Sequence, residues 1–346
     1  MKKLLKVGLD WDDTLCPFVT HAIHFCNKEN GTAYTNEDIT EWGNNTEATK
    51  MVFPYYSDIR TYQRQQVSES TKRFVQKLQE VADVYIITAI QPQYMGIRAE
   101  QIAAAFPGFP EDHILMGAAK NLIKLDVLLD DAPHNILKSS ATYPVLIRRP
   151  WNQRLSGVLA VNSLDEFLVL IDQIIHQMTE TDKVDEPCIY AIVGPSGAQK
   201  HKLADQIVTY KGECSCQKVQ SIRLSNDISK PENAITDTVY AGCRYTLDRS
   251  QIEYLIDRST SAVVVVDICG AIALKRSFPT VIIFCRQSRE TMIENVLSDL
   301  ETGSITKLQG TMQLLSMEQE LRNEVLCDYS VRSDDNESIK KLLSQI

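Results

Sequence analysis

No apolar run in this 346-residue chain is long enough to cross a bilayer, so no transmembrane helix and no membrane partner are expected. An excess of basic residues is missing as well. Lys and Arg number 36 against 45 Asp and Glu, a formal net charge of −9, which argues against a nucleic-acid-binding surface. The nine cysteines lack metal-ligand spacing. Cys214-Ser215-Cys216 is the one tight pair, and with no second pair and no histidine close by it does not read as a zinc site. Cys188, Cys269 and Cys285 lie in or beside expected strands and read as buried thiols of a reducing, cytoplasmic compartment. There is no internal repeat and no low-complexity tract. Lys2 and Lys3 precede a short apolar run, but Asp10, Asp12 and Asp13 follow at once, which argues for a strand and against a signal peptide.

What is present is an ordinary globular composition, 44% hydrophobic and 23% charged, in a chain long enough for two domains. Leu4 to Leu9, broken only by Lys6 and Gly8, predicts a buried parallel strand that delivers Asp10 and Asp12 at its end. Ligands of open α/β sheets bind at the carboxyl ends of strands. Two acids there, with a hydroxyl at Thr14, suit metal-assisted phosphoryl transfer: one carboxylate attacks phosphorus and binds Mg²⁺, and the other moves a proton.

Helical spacing follows over Val19 to Asn27, with Gly31 to end the helix. Another helix start is expected at Thr35-Asn36-Glu37-Asp38-Ile39, broken at Trp42-Gly43, and a third helix over Ser70 to Val81. Residues 16–70 therefore read as a helical insertion, a candidate lid. Further strands are expected at Val84–Thr88, His113–Met116, Val127–Asp131 and Tyr143–Arg149, with a helix at Met95–Phe106. Four successive strands thus lead to Asp10/Asp12, Thr88, Lys120 and Asp130/Asp131.

That series resembles the haloacid dehalogenase (HAD) superfamily, whose four motifs are matched by Asp10-Trp11-Asp12-Asp13-Thr14, Thr88, Lys120 and Asp130-Asp131. Within it, Asp38-Ile39-Thr40-Glu41-Trp42, Leu129-Asp130-Asp131-Ala132-Pro133-His134-Asn135 and Arg149-Pro150-Trp151-Asn152 resemble the type C 5'-nucleotidases of the deoxyribonucleotidase kind. The resemblance implies an α/β fold, a HAD-like doubly wound parallel sheet with a small helical cap, over residues 1–178. It implies Asp10 as nucleophile and Asp12 as acid/base. It also implies Mg²⁺ between Asp10, the carbonyl of Asp12 and Asp130, with Asp131 nearby. Thr88 and Lys120 would hold phosphate oxygens, and Thr14, Phe18 and Ala89 would contact a nucleoside 5'-monophosphate. Asp13-Thr14 departs from close relatives, which often have Gly and a β-branched apolar residue there.

A closing helix is expected from Leu164 to Met178, then a polar linker, 179–187. Cys188–Val193 reads as a buried strand running into Gly194-Pro195-Ser196-Gly197-Ala198-Gln199-Lys200-His201 and a helix from Lys202, the context of a phosphate-binding loop. Gly194, Gly197 and Lys200 are its candidate phosphate residues. Gln199 replaces the second glycine of the pattern, and His201 replaces the hydroxyl that would meet Mg²⁺. Residues 188–346 resemble guanylate kinase in Val193 to Ala198, Tyr240-Ala241-Gly242, Val263 to Ala271, Phe278-Pro279 and Cys327-Asp328-Tyr329. That implies a second P-loop α/β domain with a purine nucleotide as its ligand. The expected lid, 290–313, carries no arginine. Three functions are therefore open: a Mg²⁺-dependent nucleotidase with a non-catalytic second domain, a bifunctional nucleotidase and nucleoside monophosphate kinase, or a nucleotide-sensing regulator.

Overall fold

The run Leu5–Leu9 forms β1, buried at four of its five positions. Gly8 lets neighbouring side chains pack close, because a Cβ would lie 2.5 Å from a Leu125 methyl and 2.7 Å from an Ile87 methyl, and those methyls would have to shift. The computed structural model describes residues 4–177, 186–224 and 232–346. It divides into two compact units, Met1–Gln153 with Leu159–Ile175, and Arg154–Val158 with His176–Ile346.

In the first unit the chain passes through α1 (Val19–Asn30), α2 (Glu47–Val52), α3 (Ile59–Gln63) and α4 (Glu69–Val81) before β2 (Ala82–Thr88). The rest of that unit is α5 (Met95–Ala105), β3 (Ile114–Met116), β4 (Val127–Asp130), α6 (Pro133–Lys138), β5 (Tyr143–Ile147), β6 (Leu159–Val161) and α7 (Leu164–Gln177). The sheet order is β3-β2-β1-β4-β5-β6, and every pairing is parallel. The chain leaves β1 for one side and returns at β4 on the other, so a topological switch point lies between them. The register pairs Leu9 with Leu129, which sets Asp10 beside Asp130.

The insertion after β1 is helical, as its spacing predicts. Val19, Ala22, Ile23 and Cys26 on α1 pack with Ile39, Val52 and Trp151, and Gly31 ends α1 at φ +66°. The helix expected from Thr35 is only a 3₁₀ turn, Asn36–Asp38. The Asp38 carboxylate accepts from the Thr35 N–H at 2.7 Å and closes the turn, and buried Ile39 leaves helical geometry. The strand expected to reach Arg149 stops at Ile147, and the edge strand β6 lies outside every strand that the sequence predicts.

In the second unit, β7 (Ile189–Val193) is buried throughout. It is followed by α8 (Lys200–Lys211), β8 (Cys216–Val219), β9 (Ile222–Leu224), β10 (Ala234–Tyr240) and β11 (Cys243–Asp248). Then come α9 (Arg249–Ile256), β12 (Ser261–Val265), α10 (Ile268–Lys275), β13 (Thr280–Arg286), α11 (Arg289–Glu301), α12 (Lys307–Arg322), β14 (Tyr329–Arg332) and α13 (Asn336–Gln345). A parallel sheet, β14-β13-β7-β12-β8, carries the core, and β10-β11-β9 form a separate antiparallel sheet. Ala241 and Gly242, at φ +47° and +73°, make the two-residue turn between β10 and β11. Helix α8 starts at Lys200, two residues before the expected start, because Gln199 at φ +59° closes the loop. Cys269 lies in α10 and is half-buried. Of the expected linker, residues 179–185 lie outside the described residues, as does Met178.

Candidate active site

The switch point gathers the acids. Asp10, at the end of β1, donates its N–H to the Leu129 carbonyl at 2.9 Å. Asp130 ends β4, and Asp131 follows it. One oxygen from each of Asp10, Asp130 and Asp131 lies within 4.8 Å of the others, and all three residues are buried. Lys120, in a 3₁₀ turn after β3, is also buried and bridges Asp10 at 2.5 Å and Asp130 at 2.7 Å. Lys120 thus pairs with two of the three carboxylates, while Asp131 accepts from Trp151 instead. Burial pushes Asp10 up to about 7, against the pull of Lys120 and with the charges of Asp130 and Asp12 adding to the rise. Burial, with the charges of Asp130, Asp13 and Asp10, raises Asp131 well above its ordinary value. Burial works against the Lys120 charge, but Asp10 and Asp130 outweigh it and raise its pKa. A hard divalent cation relieves such crowding, and an all-oxygen donor set fits one.

The surrounding hydrogen bonds fix each acid. Asp130 accepts from the Ala132 N–H at 2.8 Å and from Asn135 Nδ2 at 3.0 Å. Asp131 accepts from Trp151 Nε1 at 2.8 Å, and Asn152 Nδ2 donates to its carbonyl at 2.8 Å. Asp12 accepts from Gln65 Nε2 at 2.7 Å and from Arg98 Nη2 at 2.8 Å. The other Arg98 nitrogen, Nη1, donates to Thr88 Oγ1 at 2.6 Å. The Thr88 hydroxyl accepts in that contact, so its own proton is available to a phosphate oxygen. Asp13, at φ +55°, accepts from the N–H groups of Phe18 (2.8 Å) and Val19 (3.1 Å) at the start of α1. Positive φ is natural for the glycine that close relatives often carry, and aspartate tolerates it.

Residues 3–177 match the profile of the family described as 5' nucleotidase, deoxy (Pyrimidine), cytosolic type C. The chain belongs to this family. The 5'(3')-deoxyribonucleotidase of Bacillus subtilis (strain 168) is 24% identical over 170 residues, which cover 48% of this chain and 96% of that protein. Among solved structures, a HAD-superfamily hydrolase from Ehrlichia chaffeensis is similar at 14% identity and TM-score 0.33, covering 51% of this chain and 99% of its own. A guanylate kinase from Anaplasma phagocytophilum is similar at 16% identity and TM-score 0.32, covering 46% and 84%. At those TM-scores neither structural likeness bears on activity. The type C match and the acid cluster make the chain a 5'-nucleotidase, a nucleotide phosphatase.

The structure distributes the expected substrate residues of this nucleotidase unevenly. Phe18 packs against Tyr56 (5.6 Å between ring centroids) and Tyr62 (5.1 Å) of the helical insertion. The Thr14 hydroxyl is buried with no hydrogen-bond partner among the described residues. Ala89 is exposed just after Thr88.

Arg98 and Gln65 are the site residues that sequence reasoning missed. Both are buried, Arg98 completely. Arg98 shares the buried face of α5 with Ile102 and Ala105, so a cation at apolar spacing was the available signal. Gln65 follows α3 and also accepts from Arg98 at 3.1 Å, which ties the insertion to Asp12. Arg98→Met is expected to cost about 2–5 kcal/mol, because it leaves Asp12 without its cation inside the protein. Thermal melts should show the transition of the first unit drop by about 2–4 °C per kcal/mol, as for a domain of its size. Arg98→Lys should recover only part of it, since one ammonium lacks the fork that reaches both Asp12 and Thr88.

In the second unit, the phosphate-loop candidates are held by the protein itself. A Cβ on Gly194 would lie 2.1 Å from the Cys285 carbonyl oxygen, and one on Gly197 would lie 2.2 Å from that of Met292. Lys200 Nζ donates to the carbonyls of Gly194 (2.6 Å) and Pro195 (2.7 Å).

Proposed function

We propose that this chain hydrolyses nucleoside 5'-monophosphates, deoxynucleotides included, through an aspartyl-phosphate on Asp10, with Mg²⁺ as cofactor. The observation that carries the reading is the buried cluster of Asp10, Asp130 and Asp131 bridged by Lys120 at the switch point. The name of the Bacillus relative favours deoxynucleotides.

An Asp10 oxygen attacks phosphorus, and the bond from phosphorus to the ribose 5'-oxygen breaks as Asp12 gives that oxygen its proton. The nucleoside leaves. Asp12, now a carboxylate, takes a proton from water, the water oxygen attacks phosphorus, and Asp10 departs with phosphate released. Gln65 and Arg98 hold Asp12 in orientation throughout. Thr88 and Lys120 donate to the phosphoryl oxygens and offset their growing charge. Asp10, Asp130, Asp131 and the carbonyl of Asp12 would hold Mg²⁺, which when bound withdraws charge from the phosphoryl group. The aromatic cluster around Phe18 covers the nucleoside side.

The aspartyl-phosphate is testable with p-nitrophenyl phosphate, whose leaving group needs no proton. Asp12→Asn should accumulate about one equivalent of hydroxylamine-labile phosphoprotein, because it cannot activate water. Asp10→Asn should accumulate none. An Asp12→Asn protein that stays unlabelled while p-nitrophenol is released would count against the covalent route.

The second unit belongs to this proposal as a non-catalytic binding or assembly module, and a reducing, cytoplasmic setting agrees with nine free cysteines. A kinase must hold Mg²⁺ and neutralise the transferred phosphoryl group. Here Lys200 is spent on its own loop, His201 stands at the hydroxyl position, and Arg289 pairs with Glu318 at 2.8 Å. Full-length Asp10→Asn protein given ATP, Mg²⁺ and GMP or dGMP should form no ADP above background. Turnover of about one per second or faster, in the usual kinase range, would favour the bifunctional reading instead.

A further inference from the structure

The second unit contains a cleft of about 530 Å³. Its walls come from the loop after β7, the hairpin β10–β11, the end of β12 and helices α11 and α12. That volume is within the range of small-molecule sites and large enough for a nucleoside.

The charges around it are of the wrong sign for phosphate. Lys200 is the one Lys or Arg lining the cleft among the described residues, and its ammonium is turned back onto the Gly194 and Pro195 carbonyls. Burial further lowers its pKa. His201 is held below its ordinary value by partial burial and by the charges of Lys218 and Lys200, which leaves it neutral at pH 7. The cleft is also lined by Asp299 and by Asp267, whose carboxylate caps α10 by accepting from the Gly270 N–H at 2.8 Å. Among the described residues, a phosphoryl group here would meet two like charges and no cation other than Lys200, which is held by its own loop. The glycines are explained by close backbone packing, so the loop needs no phosphate to account for them.

What the cleft offers is hydrogen bonding. Ser221, Thr238 and Ser298 present hydroxyls, Tyr245 presents a ring and a hydroxyl, and the two carboxylates accept from N–H and O–H donors. We propose that this cleft binds a neutral nucleoside, whose sugar hydroxyls and base N–H groups match those walls and which lacks the charge that the cleft repels. Asp299 and Asp267 accept from the ligand, and Tyr245 lies along the base. The choice of a nucleoside over other neutral polyols rests on the phosphatase reading, since nucleoside is what that reaction releases.

The experiment uses the full-length Asp10→Asn protein in EDTA, so that nothing is hydrolysed. It is titrated calorimetrically with the ribo- and deoxyribonucleosides of each base, with the matching 5'-monophosphates, and separately with Mg²⁺ and ATP. At least one nucleoside should bind at a single site, and its monophosphate at least about tenfold more weakly. Ser298→Trp, an exposed position that narrows the cleft, should weaken the nucleoside at least about tenfold. Asp299→Lys, also exposed, should shift the preference toward the monophosphate. The proposal is overturned if no nucleoside binds, if the binding that Ser298→Trp weakens is tighter for a monophosphate or MgATP than for any nucleoside, or if neither substitution changes the binding. Absence of phosphate release by the wild-type protein would instead remove the phosphatase reading, and the part of the titration that Ser298→Trp and Asp299→Lys alter would still report on the cleft.

Discussion

Asp10→Asn is expected to abolish nucleotide hydrolysis, and Asp12→Asn to lower kcat by about 10²–10⁴-fold. The two effects have different origins. Asparagine at position 10 has no carboxylate oxygen to attack phosphorus, and it also removes one of the two acids paired with Lys120. Asparagine at position 12 cannot deliver a proton to the leaving oxygen. It still accepts from Arg98 and Gln65 with its remaining carbonyl oxygen, but the buried Arg98 guanidinium loses its counter-charge, so the variant should melt lower than the wild type. Steady-state phosphate release by purified variants, with melts to confirm folding, measures both. Near-wild-type turnover in Asp10→Asn would rule out this nucleophile.

Chelation is expected to have an effect of comparable size. Asp10, Asp130 and Asp131 crowd together inside the protein with Lys120 paired to the first two, and a phosphate ester brings further negative charge into the same place. Without a divalent cation those charges repel. EDTA should therefore remove turnover, Mg²⁺ in excess should restore it, and Mg²⁺ should raise the melting temperature, because a ligand that binds only the folded state stabilises it. Full turnover in chelator, with metal content checked by elemental analysis, would contradict the cation's role.

The acid cluster was legible because its signals are local. Apolar runs that end in Asp10, Thr88 and Asp130 announce parallel strands, and strand ends in such a sheet converge at one edge. Lys120 follows a strand by only a few residues, though its burial comes from packing. Arg98 and Gln65 lie 86 and 53 residues from Asp12, and their contacts with it follow from how α5 and the insertion fold over the sheet. Nothing next to either residue in sequence announces Asp12. In the second unit, strand–loop–helix could be read from Cys188 to Lys202. The direction of the Lys200 side chain could not, because a lysine that holds phosphate and one that caps its own loop have the same sequence. The antiparallel sheet also escaped notice: β10 alternates weakly in burial, and its turn, Ala241-Gly242, lacks the usual Asn-Gly signal.

Phosphate release from a panel of ribo- and deoxyribonucleoside 5'-monophosphates, by the full chain with Mg²⁺, tests the central claim most directly. The account predicts release from at least one 5'-monophosphate, deoxynucleotides among the substrates, and none from the Asp10→Asn protein. A folded, Mg²⁺-loaded wild-type chain that releases phosphate from no member of the panel, or an Asp10→Asn protein that releases it at the wild-type rate, would contradict it.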